Sequence, residues 1–163
     1  MTTQIMLDSM VHDVIASDKH FKNLIEKLSS LGKIEFLSTH IQAGQLANIP
    51  RERDIGQASA VDARQIGTAV FVFDHSFFDV DRFGTDEAND AFAKLQINNP
   101  KHIPDAMIGV TALTDADIFV TDDASLMGRI KKIAPSSLIT MSSSEFRSMI
   151  EGMNTNSPAT GSD

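Results

Sequence analysis

Short apolar runs alternating with amphipathic helical stretches set the narrowest limit on how this chain can fold. Gln4-Ile5-Met6-Leu7 reads as a buried strand ending at Asp8. Ser9 then caps a helix from Met10 to Ala16. A second helix starts near Asp18, spaces Phe21, Leu24, Ile25, Leu28 and Leu31 at helical intervals, and stops at Gly32. Residues 33–38 form the next strand, and a helix through Ile41, Gln45 and Leu46 follows it as far as Pro50. Residues 51–66 are polar and read as helical, whereas Thr68-Ala69-Val70-Phe71-Val72-Phe73 is a β-branched and aromatic run that predicts a strand. Helices are expected over 85–95 and over 105–113, the latter opened by Pro104 at the favoured first helical position. A strand at 117–121, a helix carrying Leu126, Ile130 and Ile133, a strand at 137–140 and a helix holding Phe146, Met149 and Ile150 complete the series. Strands alternating with helices predict an α/β fold with a mostly parallel sheet covered on both faces. We expect one domain over residues 1–152 and a disordered tail over 153–163, where Ser, Thr, Gly and Asn dominate.

Composition removes several function classes. The chain of 163 residues has no cysteine, which excludes disulfides, thiolate metal sites and a cysteine nucleophile. Without Trp or Tyr, only Phe and His remain for stacking on bases. No apolar run reaches 18 residues and no basic segment leads into a long apolar stretch near Met1, so neither a membrane span nor a signal peptide is expected, and a cytoplasmic setting fits. Fourteen Lys and Arg against 22 Asp and Glu give a formal charge of −8, a poor balance for gripping phosphates directly. Most of these acids serve as a solvated surface. Where several converge, however, only a cation such as Mg²⁺ or Mn²⁺ keeps them all charged, and that cation can then receive a phosphodiester.

Asp8, Asp105, Asp122 and Asp123 are the acids placed for convergence. Ligand sites of open α/β sheets lie outside the carboxyl ends of the strands. Asp8 follows the first strand, and Asp122 and Asp123 follow the strand at 117–121. Asp105 lies in the first turn of a helix, where the positive end of the dipole favours a negative charge. Each also has an ordinary structural role, as a turn residue, a helix cap or a dipole partner. Their occurrence at the same end of one expected sheet is what sets them apart.

The segment Pro104-Asp105-Ala106-Met107-Ile108-Gly109-Val110-Thr111-Ala112-Leu113, followed by Ile118-Phe119-Val120-Thr121-Asp122-Asp123, resembles the C-terminal half of a PIN domain. That family reads Asp-Ala-hydrophobic-Ile-x-x-x-Ala and then a strand ending Val-Thr-x-Asp. Leu7-Asp8-Ser9 is similar to the family's first motif, and Ser38-Thr39 with the helix through Gln45-Leu46 to its second. The resemblance covers roughly residues 3–150 and implies a three-layer αβα sandwich. It further implies divalent-metal-dependent cleavage of RNA, with Asp8, Asp105 and Asp123 as the catalytic, metal-holding carboxylates and Mg²⁺ or Mn²⁺ as cofactor. Small proteins of this family are often ribonuclease toxins of toxin–antitoxin pairs, so a homodimer and a small antitoxin-type partner are implied as well. One position departs from the pattern: the family carries Glu before Leu where this chain has Gln45 before Leu46. Gln can orient water but adds no charge, so metal binding should weaken. Asp122, and after it Glu35, are the candidate replacements.

Other residues are secondary. Thr121 could steady the site through its hydroxyl, and His40 could touch substrate. Arg129, Lys131 and Lys132 form the densest basic group, with Arg51, Arg53 and Arg64 as a second; Arg129 and Lys132 are the candidate RNA-phosphate contacts. The five histidines show no metal-ligand spacing, and no Gly-rich phosphate loop occurs, which argues against an NTPase or dinucleotide enzyme. A response-regulator receiver would want an acidic pair after the first strand, where this chain has Asp8 followed by Ser9 and Met10. A PIN-like module that binds without cutting is the alternative, motivated by Gln45.

Overall fold

In a computed structural model the described residues are 1–47, 60–97 and 99–155. Five short strands, β1 (Thr3–Leu7), β2 (Ile34–Ser38), β3 (Ala63–Gln65), β4 (Ile118–Val120) and β5 (Ile139–Met141), form one sheet in the order β3-β2-β1-β4-β5. All four pairings are parallel. Among the described residues seven α-helices connect and cover them: α1 (Ser9–Ala16), α2 (Lys19–Ser30), α3 (His40–Ala47), α4 (Asp86–Gln96), α5 (Ile103–Asp115), α6 (Ala124–Ile133) and α7 (Ser143–Thr155).

The three layers follow from the two-residue period of β1. Ile5 and Leu7 point to one face and pack with Val11, Phe21, Ile25 and Phe146 of α1, α2 and α7. Met6 points to the other face and packs with Leu95, Met107, Val110, Leu126 and Ile130 of α4, α5 and α6. A central strand buried on both faces needs continuous apolar sequence, which Ile5-Met6-Leu7 and Ile118-Phe119-Val120 supply. No helix among the described residues is long and apolar enough to cross a membrane.

Two expectations are corrected. Residues 68–73 form no strand. The N–H groups of Thr68, Ala69 and Val72 go to the Asp81 carboxylate at 2.7 Å, the Thr111 hydroxyl at 2.9 Å and the Ser76 hydroxyl at 2.9 Å. Side chains have taken the donors a neighbouring strand would need, and Asp74 then turns the chain with φ 69°. The third strand is instead Ala63–Gln65, inside a stretch expected to be helical; residues 51–59 of that stretch, with Arg51 and Arg53, lie outside the described residues. Of the expected tail, residues 153–155 belong to α7 and 156–163 lie outside the described residues.

Candidate metal centre

The strand order reverses between β1 and β4. From β1 the chain proceeds outward to β2 and β3, and from β4 outward to β5 on the other side. The loops leaving β1 and β4 therefore diverge and leave a crevice at their carboxyl ends, the general location of ligand sites in such sheets. Asp8 stands on one wall and residues 121–123 stand on the other.

Asp8 is the N-cap of α1: its Oδ1 accepts the Ser9 N–H at 2.7 Å, and its backbone N–H donates to the Val120 carbonyl of β4 at 2.9 Å. Its Oδ2 accepts the Thr121 hydroxyl at 2.7 Å. The same Thr121 oxygen accepts the Asp123 N–H at 3.1 Å, so one fully buried hydroxyl ties both walls together. Asp123 caps α6, with Oδ1 accepting the Ser125 and Leu126 N–H groups at 2.8 and 2.9 Å. Asp105 enters from the first turn of α5, and its carboxylate has no hydrogen-bond partner among the described residues.

These acids are electrostatically joined. Burial raises the Asp8 carboxyl above the usual carboxylate range, the Thr121 and Ser9 hydrogen bonds oppose the rise, and the Asp123 charge adds to it. Burial likewise raises Asp105, and repulsion from Asp8 and then Asp123 raises it further, with His102 and Arg129 pulling the other way. Three like charges in range of one another, in a cleft, are chemically suited to a hard cation. Among the described residues, no group of three or more acids or imidazoles is gathered closely enough to hold a metal ion. An ion at this place would have to be held in part through water, as Mg²⁺ usually is.

The remaining expected residues fall into place less uniformly. Asp122 stands apart, because its Oδ1 accepts the Ser143 N–H at 2.8 Å and so serves the start of α7. Glu35 lies toward the amino end of β2, away from the crevice, and pairs with Arg64 at 3.0 Å. Gln45 has a buried amide oxygen with no hydrogen-bond partner among the described residues and no bond to the three acids. His40 is packed, not free for substrate: one ring nitrogen meets the His75 carbonyl at 2.8 Å, the other lies 3.5 Å from Asp81, and Phe77 lies against the ring at 4.4 Å. Arg129 anchors α6 to the Leu95 carbonyl while its charge reaches Asp105. Lys132 is exposed on α6, and Lys131 beside it is within electrostatic reach of Glu145.

Sequence reasoning missed Gln42. Its side-chain N–H donates to the Leu7 carbonyl at 2.6 Å, immediately before Asp8, while its oxygen accepts the Thr39 N–H at 2.8 Å. Thr39-x-x-Gln42 is a capping box, a pattern visible in the sequence. The glutamine brought against the Asp8 strand end is therefore Gln42. No family model, no curated protein and no solved structure matches this chain.

Proposed function

We propose that the crevice between β1 and β4 is the active site of a divalent-metal-dependent ribonuclease. The observation that carries this reading is the coupling of Asp8, Asp105 and Asp123 at the switch point, with Thr121 bonded to both walls. Those three carboxylates are the residues that would hold Mg²⁺ or Mn²⁺. When bound, such an ion supplies Lewis acidity to a phosphoryl oxygen and to an attacking water.

The chain's own residues do the positioning. Thr121 on one oxygen and the Ser9 N–H on the other fix the orientation of the Asp8 carboxylate. Gln42 holds the Leu7 carbonyl and with it the strand end that carries Asp8. Asp105, with no partner of its own, is free to accept a proton from water or to contact a hydrated cation. Arg129 stands near Asp105, where its charge also favours a substrate phosphate. RNA is the substrate of this reading, and a homodimer with a small antitoxin-type partner belongs to it. Mass measurement of the purified and co-expressed protein tests those two partners.

A Mn²⁺ titration with thermal melting tests the centre. At a hundredfold excess over Kd an ion stabilises by about 2.7 kcal/mol, which for a domain of this size is roughly 5–11 °C. Asp8→Asn should erase the shift, and a labelled RNA should be cut with Mn²⁺ but not with EDTA. An unmoved melting temperature together with intact RNA would leave the second reading, a PIN-like binding module. That alternative is favoured by one observation: the helix after β2 brings a neutral glutamine, Gln42, against the strand end that carries Asp8, and adds no acid there.

A further inference from the structure

The segment between β3 and α4 shows solvent an aromatic cluster that the proposed centre does not use. Phe71 sits at its middle, with ring centroids 5.7 Å from Phe73, 4.6 Å from Phe78 and 4.8 Å from Phe83, the last pair stacked with nearly parallel planes at 17°. The outer three rings are 78%, 71% and 67% exposed, values a soluble surface tolerates singly but not stacked together. Counting the half-exposed Val80 of the same segment, the apolar area in water is on the order of 500 Å². That is the size at which surface patches usually have a use.

The cluster stands on rigid backbone. The buried Asp81 carboxylate accepts the Thr68 and Phe77 N–H groups, both at 2.7 Å. A side chain at Gly67 would meet the Val80 carbonyl at 2.0 Å, so two distant stretches of the segment press against each other. Arg82 binds both Asp115 and the Gly67 carbonyl. A surface held this way loses little freedom when covered. It also cannot collapse to hide its rings.

Charge decides what covers it. Asp74 and Asp79 directly follow Phe73 and Phe78, and Asp86, Glu87 and Asp90 follow Phe83; all five are exposed. The single Arg or Lys of residues 71–90 is Arg82, already paired with Asp115. Single-stranded nucleic acid would stack on phenylalanines, but its backbone needs a basic groove, and here the rim is acidic. A second copy would bring acids onto acids in a chain of formal charge −8. The area also falls short of the roughly 800 Å² per partner of a stable protein pair. A single peptide segment suits both the area and the charge.

We propose that the Phe71, Phe73, Phe78 and Phe83 face docks a segment of a partner protein that presents an apolar stripe bordered by Lys and Arg. The proposal is independent of the metal centre. The probe is a synthetic amphipathic helix of Leu and Lys, set against a Leu and Glu peptide of the same pattern, a sequence-scrambled Leu and Lys peptide and a labelled oligo-uridine. Anisotropy on the full chain should show the patterned Leu and Lys peptide binding at least tenfold more tightly than the other three, and less tightly at high salt. F78S/F83S should weaken it at least tenfold without lowering the melting temperature, since these rings are exposed. D74N/D79N should weaken it several-fold, and this variant keeps the test valid were the serine variant to melt early. Equal binding of the scrambled peptide, indifference to both variants, tighter binding of the oligo-uridine, or a self-association that F78S/F83S abolishes would each overturn the proposal.

Discussion

Thr121→Val is the sharpest perturbation of the proposed centre, because the shape is kept and only the hydroxyl is lost. In the structure that hydroxyl donates to a buried carboxylate at 2.7 Å and accepts the Asp123 N–H at 3.1 Å. A hydrogen bond to a charged group contributes roughly 1.5–3 kcal/mol, and leaving the Asp123 donor unpaired costs about 1 kcal/mol more. The sum, about 3 kcal/mol, corresponds to a fall of roughly 6–12 °C in melting temperature for a domain of this length. The pH dependence carries the sign. Asp8 is already raised by burial, and the Thr121 bond is the largest effect holding it down. Its loss is therefore felt in full above the folded Asp8 pKa, where the carboxylate is charged, and shrinks as the pH falls through that value. Circular-dichroism melts at pH 7.5 and 4.5 without metal read both effects. In an Asp8→Asn background the penalty should drop by about half, since charge-assisted bonds are roughly twice as strong as neutral ones. A fall of less than about 2 °C at pH 7.5, or an equal fall in the two backgrounds, would refute the linkage.

Three other outcomes are expected. Asp105→Asn removes a charge that burial and its neighbours oppose and that has no bond among the described residues, so at pH 7.5 without metal it should raise stability by about 0.5–1 kcal/mol, seen as a rise of roughly 1–4 °C, while reducing any Mn²⁺ effect; a lowered melting temperature would count against the repulsion. His12 is buried, accepts the Ala60 N–H at 3.2 Å and has its pKa lowered from 6.5 to about 4. Folding thus opposes its protonation, and stability should decline by up to about 3 kcal/mol as the pH falls from 6.5 to 4; urea unfolding of His12→Gln, which can still accept that bond, should lack this decline, and parallel curves would exclude His12 as its source. Ile97 ends α4 with φ 50°, a conformation a β-branched residue resists, so Ile97→Gly should stabilise by about 1 kcal/mol in urea unfolding, and a loss would show that its side chain matters more than its backbone.

Much of this architecture was legible because apolar spacing reports burial directly. Ile5-Met6-Leu7 and Ile118-Phe119-Val120 are apolar without alternation, as strands covered on both faces must be, and the helices beside them show their stripes. Residues 68–73 misled because β-branched and aromatic content says nothing about whether a neighbour exists to accept a strand's hydrogen bonds. Here Asp81 and Thr111, distant in sequence, took that place. The short β3 carries Ala63-Arg64-Gln65, which has no strand signature and forms only because β2 offers an open edge. At the site, position along the strands located Asp8 and Asp123, but the choice between Asp122 and Asp123 depends on side-chain direction, which adjacent identical residues do not reveal. Gln42 and Gln45 lie three apart on one helix and share a face, so helical phase alone could not separate them. The cap formed with Thr39 does.

The pairing of β1 with both β2 and β4 also sets an order of events. Thr3 meets Ile34 roughly 30 residues away, whereas Ile5 meets Ile118 more than 110 residues away. Closing the longer loop costs roughly 1 kcal/mol more in chain entropy, so the parallel β1–β2 half of the sheet can assemble while the crevice does not yet exist. A growing or truncated chain lacking β4 carries Asp8 without Thr121 or Asp123 and holds only one wall of the cleft. Any activity housed there would wait for β4 to pair with β1.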